Sequence, residues 1–149
     1  MKKIVVLGIG NTLMRDDGIG VYVVESLKGL GQLDVTYIIG ETDLDYCLAA
    51  AEDASFLFVI DAITTGKPPG TISRYDLRQM PVMELGISAH NLHLFHMLHD
   101  SKVKGQLIGI EAATIDFNLG LSEGLERKFL KIVEQVKRTM EDEIKMLEK

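Results

Sequence analysis

The chain has 149 residues, 46% of them apolar, which suits a single globular domain spanning 1–149 with one core. Its net charge of −6 argues against a nucleic-acid surface, and no apolar run approaches the roughly 20 residues of a membrane span. Cys47, the single cysteine, forms no intrachain disulfide and reads as a small buried hydrophobe. With no signal-peptide core at the N-terminus, the expected state is a soluble cytoplasmic monomer.

The first strand is expected over residues 3–7, where Ile4, Val5, Val6 and Leu7 form a continuous apolar run suited to burial on both faces. A turn with four glycines follows, from Gly8 to Gly20, carrying the adjacent acids Asp16 and Asp17. A helix over 17–29 is expected from Ile19, Val23, Val24 and Leu27, with Gly29 and Gly31 stopping it. Gly8-x-Gly10 after a first strand invites a dinucleotide reading. It fails because Leu13 stands where the third glycine belongs, and two carboxylates would repel a pyrophosphate. The glycines instead permit a tight backbone path that delivers Asp16 or Asp17 to the crevice at the strand ends; the other reading of either acid is a helix cap.

A second strand is expected over 33–39, ending in the turn Gly40-Glu41-Thr42-Asp43, with Thr42 or Asp43 capping a short helix marked by Leu44, Leu48 and Ala51. A third strand over 55–60 ends at Asp61. An unpaired charge at the end of a buried strand is costly, so Asp61 is a candidate site residue facing the same crevice as the first turn. Residues 64–70 form a loop rich in glycine and proline. Residues 71–77 alternate as a half-exposed strand does. Ser88-Ala89-His90-Asn91 opens a helix running to His99, a strand follows over 106–112, then a loop over 114–121. Ser122 caps the last helix, whose apolar face is Leu125, Phe129, Ile132, Val133, Val136 and Met140. Alternating strands and helices predict an α/β fold of three layers: a mostly parallel, twisted sheet of about five strands with helices on both faces.

His90, His93, His96 and His99 recur every three residues on one helix and so drift around it rather than sharing a face. His90 lies at the end where strand-end ligands would be, alone or paired with His93. The others read as half-exposed helix residues. Asp17, Asp61 and His90, drawn from three turns of one crevice, make a candidate divalent-metal site. Carboxylate and imidazole suit nickel, zinc, manganese or iron(II), and three ligands leave positions open. No Gly-x-Ser-x-Gly elbow and no His-Glu-x-x-His helix is present, while Asp17 and Asp61 are also candidates for a catalytic carboxylate pair.

Several of these segments together resemble the hydrogenase maturation endopeptidase family. They are Gly8-x-Gly10-Asn11-x-Leu13-x-x-Asp16-Asp17-Gly18-x-Gly20, Val59-Ile60-Asp61-Ala62 with Gly66 and Pro69-Gly70, Ser88-Ala89-His90, and Ile115-Asp116-Phe117 with Gly120-Leu121-Ser122. The resemblance implies an endopeptidase that removes a C-terminal extension from the nickel-loaded precursor of a [NiFe]-hydrogenase large subunit. It places the metal-contacting positions on Asp17, Asp61 and His90, with nickel supplied by the precursor and other divalent ions able to occupy the site in vitro. It also links Gly40, Glu41, Thr42 and Asp43 to substrate discrimination. In the family this turn is often Gly-Gly-Thr-x-Gly; here it has two acids and fewer glycines. The competing readings are a factor that binds the nickel-loaded precursor without cutting it, and a peptidyl-tRNA hydrolase. The latter would need an early histidine and a basic face, and neither is present.

Overall fold

The computed structural model describes residues 3–149. Five strands form one sheet: β1 (Ile4–Ile9), β2 (Thr36–Glu41), β3 (Phe56–Ile63), β4 (Ile72–Asp76) and β5 (Gly105–Glu111). Their spatial order is β2-β1-β3-β5-β4. All neighbours are parallel except β4, which runs antiparallel along the β5 edge. The four α-helices are α1 (Ile19–Leu30), α2 (Leu44–Glu52), α3 (Ala89–Ser101) and α4 (Glu123–Leu147).

Side chains alternate across the central strands, so each contributes to two cores. Val6, Phe58, Ile60, Ile108 and Ile110 meet α1 and α4, through Val23, Val24, Leu27, Leu125, Ile132 and Val136. Val5, Leu7, Leu57, Val59, Ile63 and Leu107 meet α2 and α3, through Cys47, Ala51, Leu94, Phe95 and Leu98. The expected three-layer architecture is therefore present. Burial pushes the Cys47 thiol up to about 11, with the nearby Asp43 charge adding to it. It stays protonated and serves as a core side chain.

Several boundaries differ from expectation, among them that of β2, which starts at Thr36 and takes in Gly40 and Glu41 from the expected turn. A single 3₁₀ turn, Arg15–Gly18, intervenes before α1, which starts at Ile19. α1 runs through Gly29 and stops at Gly31, whose left-handed backbone (φ 59°) lets its N–H donate to the Leu27 carbonyl. β3 continues through Asp61 to Ile63, because 57, 59, 61 and 63 form one row on the α3 side of the sheet. Asp61 occupies a core position in that row.

The order of the strands fixes where a ligand can enter. From β1 the chain goes to β2 on one side, then to β3 on the other, so the order reverses between β1 and β3. In an open α/β sheet the crevice lies at the carboxyl ends of the strands at such a reversal. The turn after β1 and the end of β3 both open there.

Candidate active site

Two glycines set the path of the turn after β1. Gly10 has φ +131°, and a Cβ on it would lie 2.0 Å from the Asp17 carbonyl oxygen. Gly20, on the first turn of α1, sits so close to the sheet that a Cβ would lie 2.1 Å from the Ile60 carbonyl oxygen and 2.8 Å from that of Ile9. The helix is thereby pressed onto β1 and β3. Gly20 does the close-packing work that a dinucleotide fingerprint assigns to an earlier glycine.

The adjacent acids on this turn have different tasks, and neither caps α1: its cap position is Gly18, with no side-chain cap bond. Asp16 is fully buried. Its carboxylate accepts from the N–H groups of Ala113 (2.9 Å), Thr114 (2.9 Å) and Ser122 (2.7 Å), and from the Ser122 hydroxyl (2.7 Å). It ties the turn to the loop between β5 and α4. Replacing Asp16 with Ala leaves these donors unpaired in a buried place and should cost about 3 kcal/mol or more, read from urea unfolding. A loss under about 1 kcal/mol would contradict the clamp.

Asp17 turns the other way. It is 5% exposed and lines a pocket of about 270 Å³ with Asn11, Met14, Thr42, Ser88, His90 and Ile115. Burial raises its carboxyl above the ordinary value, while the Asn11 N–H (2.9 Å) and the His90 ring oppose the shift. His90 is on the first turn of α3 and exposed. Its Nε2 donates to the Thr42 carbonyl at 2.5 Å. That bond puts a proton on Nε2 and, in the neutral ring, leaves the Nδ1 lone pair free, the arrangement that suits an imidazole ligand.

Asp61 lies behind the pocket, fully buried. Oδ1 accepts from the Ala62 N–H (2.8 Å), and the Asn91 amide donates to both oxygens at 3.1 Å. Burial, and next the charge on Asp17, raise its carboxyl well above the ordinary value, against these donors. Asp17 and Asp61 are thus electrostatically coupled, as are Asp17 and His90. The three expected residues converge on one end of the sheet, but only Asp17 and His90 face the pocket. Among the described residues no three His, Cys, Asp or Glu side chains form a ready metal cluster. Asp61 is a core residue held by Asn91, outside the lining that Asp17 and His90 share. His93, His96 and His99 are exposed along α3 and are not among the pocket residues.

The 40–43 turn borders the site. Thr42 lines the same pocket as Asp17 and His90, and the Glu41 carbonyl accepts from the Gly10 N–H at 2.9 Å. Gly40 is a packing residue, since a Cβ would lie 2.4 Å from the Cys47 sulfur. Asp43, not Thr42, caps α2, accepting from the Tyr46 N–H at 3.1 Å. Glu41 is exposed, with φ 50°.

Two buried polar residues escaped the sequence reading. Asn91 is 2% exposed and falls in the same stripe as Leu94, Phe95 and Leu98; a polar side chain in an apolar stripe signals a buried partner. Glu111 ends β5 as an acid after an apolar run, the signal that singled out Asp61. Its carboxylate accepts from the Thr65 N–H (2.7 Å) and hydroxyl (2.6 Å), pinning the loop after β3. A larger hollow of about 670 Å³ lies between residues 68–72 and α4, with Lys128, Lys131 and Arg138 in its lining and no acid. Size alone would favour it, but the meeting of Asp17 and His90, with Asp61 near them, makes the smaller pocket the candidate active site.

The family model of the hydrogenase maturation proteases matches residues 21–139, a span that includes Asp61 and His90. The chain belongs to this family. The hydrogenase 2 maturation protease of Escherichia coli is 30% identical over 144 residues, covering 90% of this chain and 88% of its own. The hydrogenase maturating endopeptidase HybD from E. coli has a similar structure, with a TM-score of 0.73 and 26% identity over 95% of this chain and 93% of that one. The [NiFe] hydrogenase maturation protease HybD from Thermococcus kodakarensis aligns with a TM-score of 0.69 and 25% identity, covering 92% of this chain and 98% of that one. This protease is therefore a hydrolase of hydrogenase maturation, and neither the non-cleaving factor nor the peptidyl-tRNA hydrolase is favoured. Among the described residues no helix is long and apolar enough to cross a membrane.

Proposed function

We propose that this protease removes a C-terminal extension from the precursor of a [NiFe]-hydrogenase large subunit after nickel has been inserted, acting as a monomer in the cytoplasm. The observation that carries the reading is the meeting of a carboxylate and an imidazole, Asp17 and His90, on one open pocket with a second carboxylate, Asp61, coupled behind them. Carboxylate and imidazole suit nickel. The ion arrives as part of the substrate, where it polarises the bond to be cut.

The residues divide the remaining work. His90, oriented by Thr42, and Asp17 meet the ion-bearing end of the substrate. Asp17, whose carboxyl burial raises above the ordinary value against the opposing Asn11 N–H and His90, has the proton affinity of a base and accepts the proton of the attacking water. Asp61, with the higher proton affinity, holds a proton beside it, since two neighbouring acids with environments that push their affinities apart divide base from acid. To serve as the third ligand, Asp61 gives up that proton and its bonds from Asn91. Glu41, exposed on the pocket's border, favours a precursor whose matching surface is basic.

Incubating the protease with nickel-loaded precursor and weighing the products tests this. The expected result is a single mass loss equal to one C-terminal peptide. A stable complex with the precursor mass unchanged would contradict cleavage.

A further inference from the structure

The loop from Ala113 to Leu121 runs beside the turn that carries Asp16 and Asp17. The Asn118 N–H donates to the Leu13 carbonyl (2.9 Å), and the Arg15 N–H donates to the Asn118 carbonyl (2.9 Å). Arg15 Nε donates to Asp116 Oδ1 at 2.7 Å. Asp16 grips the N–H groups of Ala113 and Thr114. Residues 116 and 118 thus bind the loop to the catalytic turn, while the odd-numbered residues point apolar groups at solvent. Ile115 is 43% exposed, Phe117 82% and Leu119 72%, with Leu13 at 51% on the facing segment of the turn.

Scattered exposed apolar residues need no explanation, but four gathered on one held rim do. Three observations say what covers them. Ile115 belongs both to this strip and to the pocket wall shared by Asp17 and His90, so a polypeptide reaching Asp17 there passes the strip. The strip is bonded to the turn bearing Asp17, so dock and acid keep a fixed separation. The single charge on the strip, Asp116, is met by Arg15, which leaves a locally neutral surface fit for apolar side chains.

We propose that Leu13, Phe117 and Leu119, continuous with the pocket through Ile115, form an apolar dock for a stretch of substrate polypeptide beside the cleaved bond. The dock rests on the reading of the site as a precursor-cleaving pocket. Aromatic side chains, Phe among them, are enriched at the buried cores of protein interfaces, and here Phe117 would be the anchor.

The test compares the full chain with its double variant Phe117→Ser/Leu119→Ser on nickel-loaded large-subunit precursor. KM should rise roughly tenfold or more, kcat should change less than about twofold, and the thermal midpoint should hold, since both side chains are exposed. The conservative pair Phe117→Leu/Leu119→Met should restore most of the affinity. An unchanged KM in the Ser variant, with the unaltered protease cutting normally, overturns the dock and leaves the cleavage reading standing. No cutting by the unaltered protease overturns both. Sedimentation supplies the other occupant: a concentration-dependent dimer that the double variant abolishes would assign the strip to a second copy and overturn the proposal.

Discussion

Asp17→Asn should lower the rate of precursor cleavage by about a thousandfold while leaving the fold intact. The substitution keeps size and shape. The Asn11 N–H, 2.9 Å from Asp17 Oδ2, can still be accepted by the amide oxygen of the new residue. What is lost is the negative charge and the proton acceptor, in the one carboxylate that lines the pocket with His90. The loss should fall on kcat as well as on affinity, because the group is asked both to meet the substrate's ion and to take a proton. Circular dichroism should match the parent, and urea unfolding at neutral pH should show no loss of stability, since burial raises the Asp17 carboxyl. A rate within about tenfold of the parent would remove Asp17 from the chemistry.

Asp61→Asn should be equally inactive yet more stable at neutral pH. Asp61 sits fully buried in a row of core residues, and burial with the nearby Asp17 charge raises its proton affinity above that of the unfolded chain. Between the unfolded value near 3.8 and the higher native value, the native state binds more protons than the unfolded one. Stability therefore falls as pH rises across that window and stays lowered above it. Asparagine removes this dependence and can still accept from the Ala62 N–H and meet Asn91. The variant's thermal midpoint should exceed the parent's at pH 7, and the difference should close as pH falls below about 4. Such a gain on losing a functional group is expected where a site holds an acid in a core position. A variant less stable than the parent at pH 7 would show that the charge is welcome there.

The contrast between Asp16 and Asp17 shows what local sequence can carry. Both were visible as acids at a strand-to-helix turn, and both had a capping alternative. Their division depends on donors about a hundred residues away, at Ala113, Thr114 and Ser122, which no local pattern reveals. Gly10 and the β-branched runs were legible because backbone sterics and strand burial act over a few residues. So were the three layers, since strand and helix periods differ. The place of Asp61 was half legible: a charge after five apolar residues marked it, but its entry into the strand follows from pairing with β5, where Asp61 stands beside Gly109. Asn91 left a readable trace as a polar residue on the buried stripe of α3. Its partner is thirty residues earlier, so only the fold joins them. The 40–43 turn divides in the same way: Gly40 packs and Asp43 caps, which leaves Glu41 and Thr42 facing the border of the site.

In the proposed function the pocket acts on nickel carried by its substrate. The most direct measurement is mass spectrometry of one precursor preparation, divided into nickel-loaded and nickel-free forms, each mixed with protease pretreated with chelator. The nickel-loaded form should lose its C-terminal peptide and the nickel-free form should keep its full mass. Equal cleavage of both forms would contradict it.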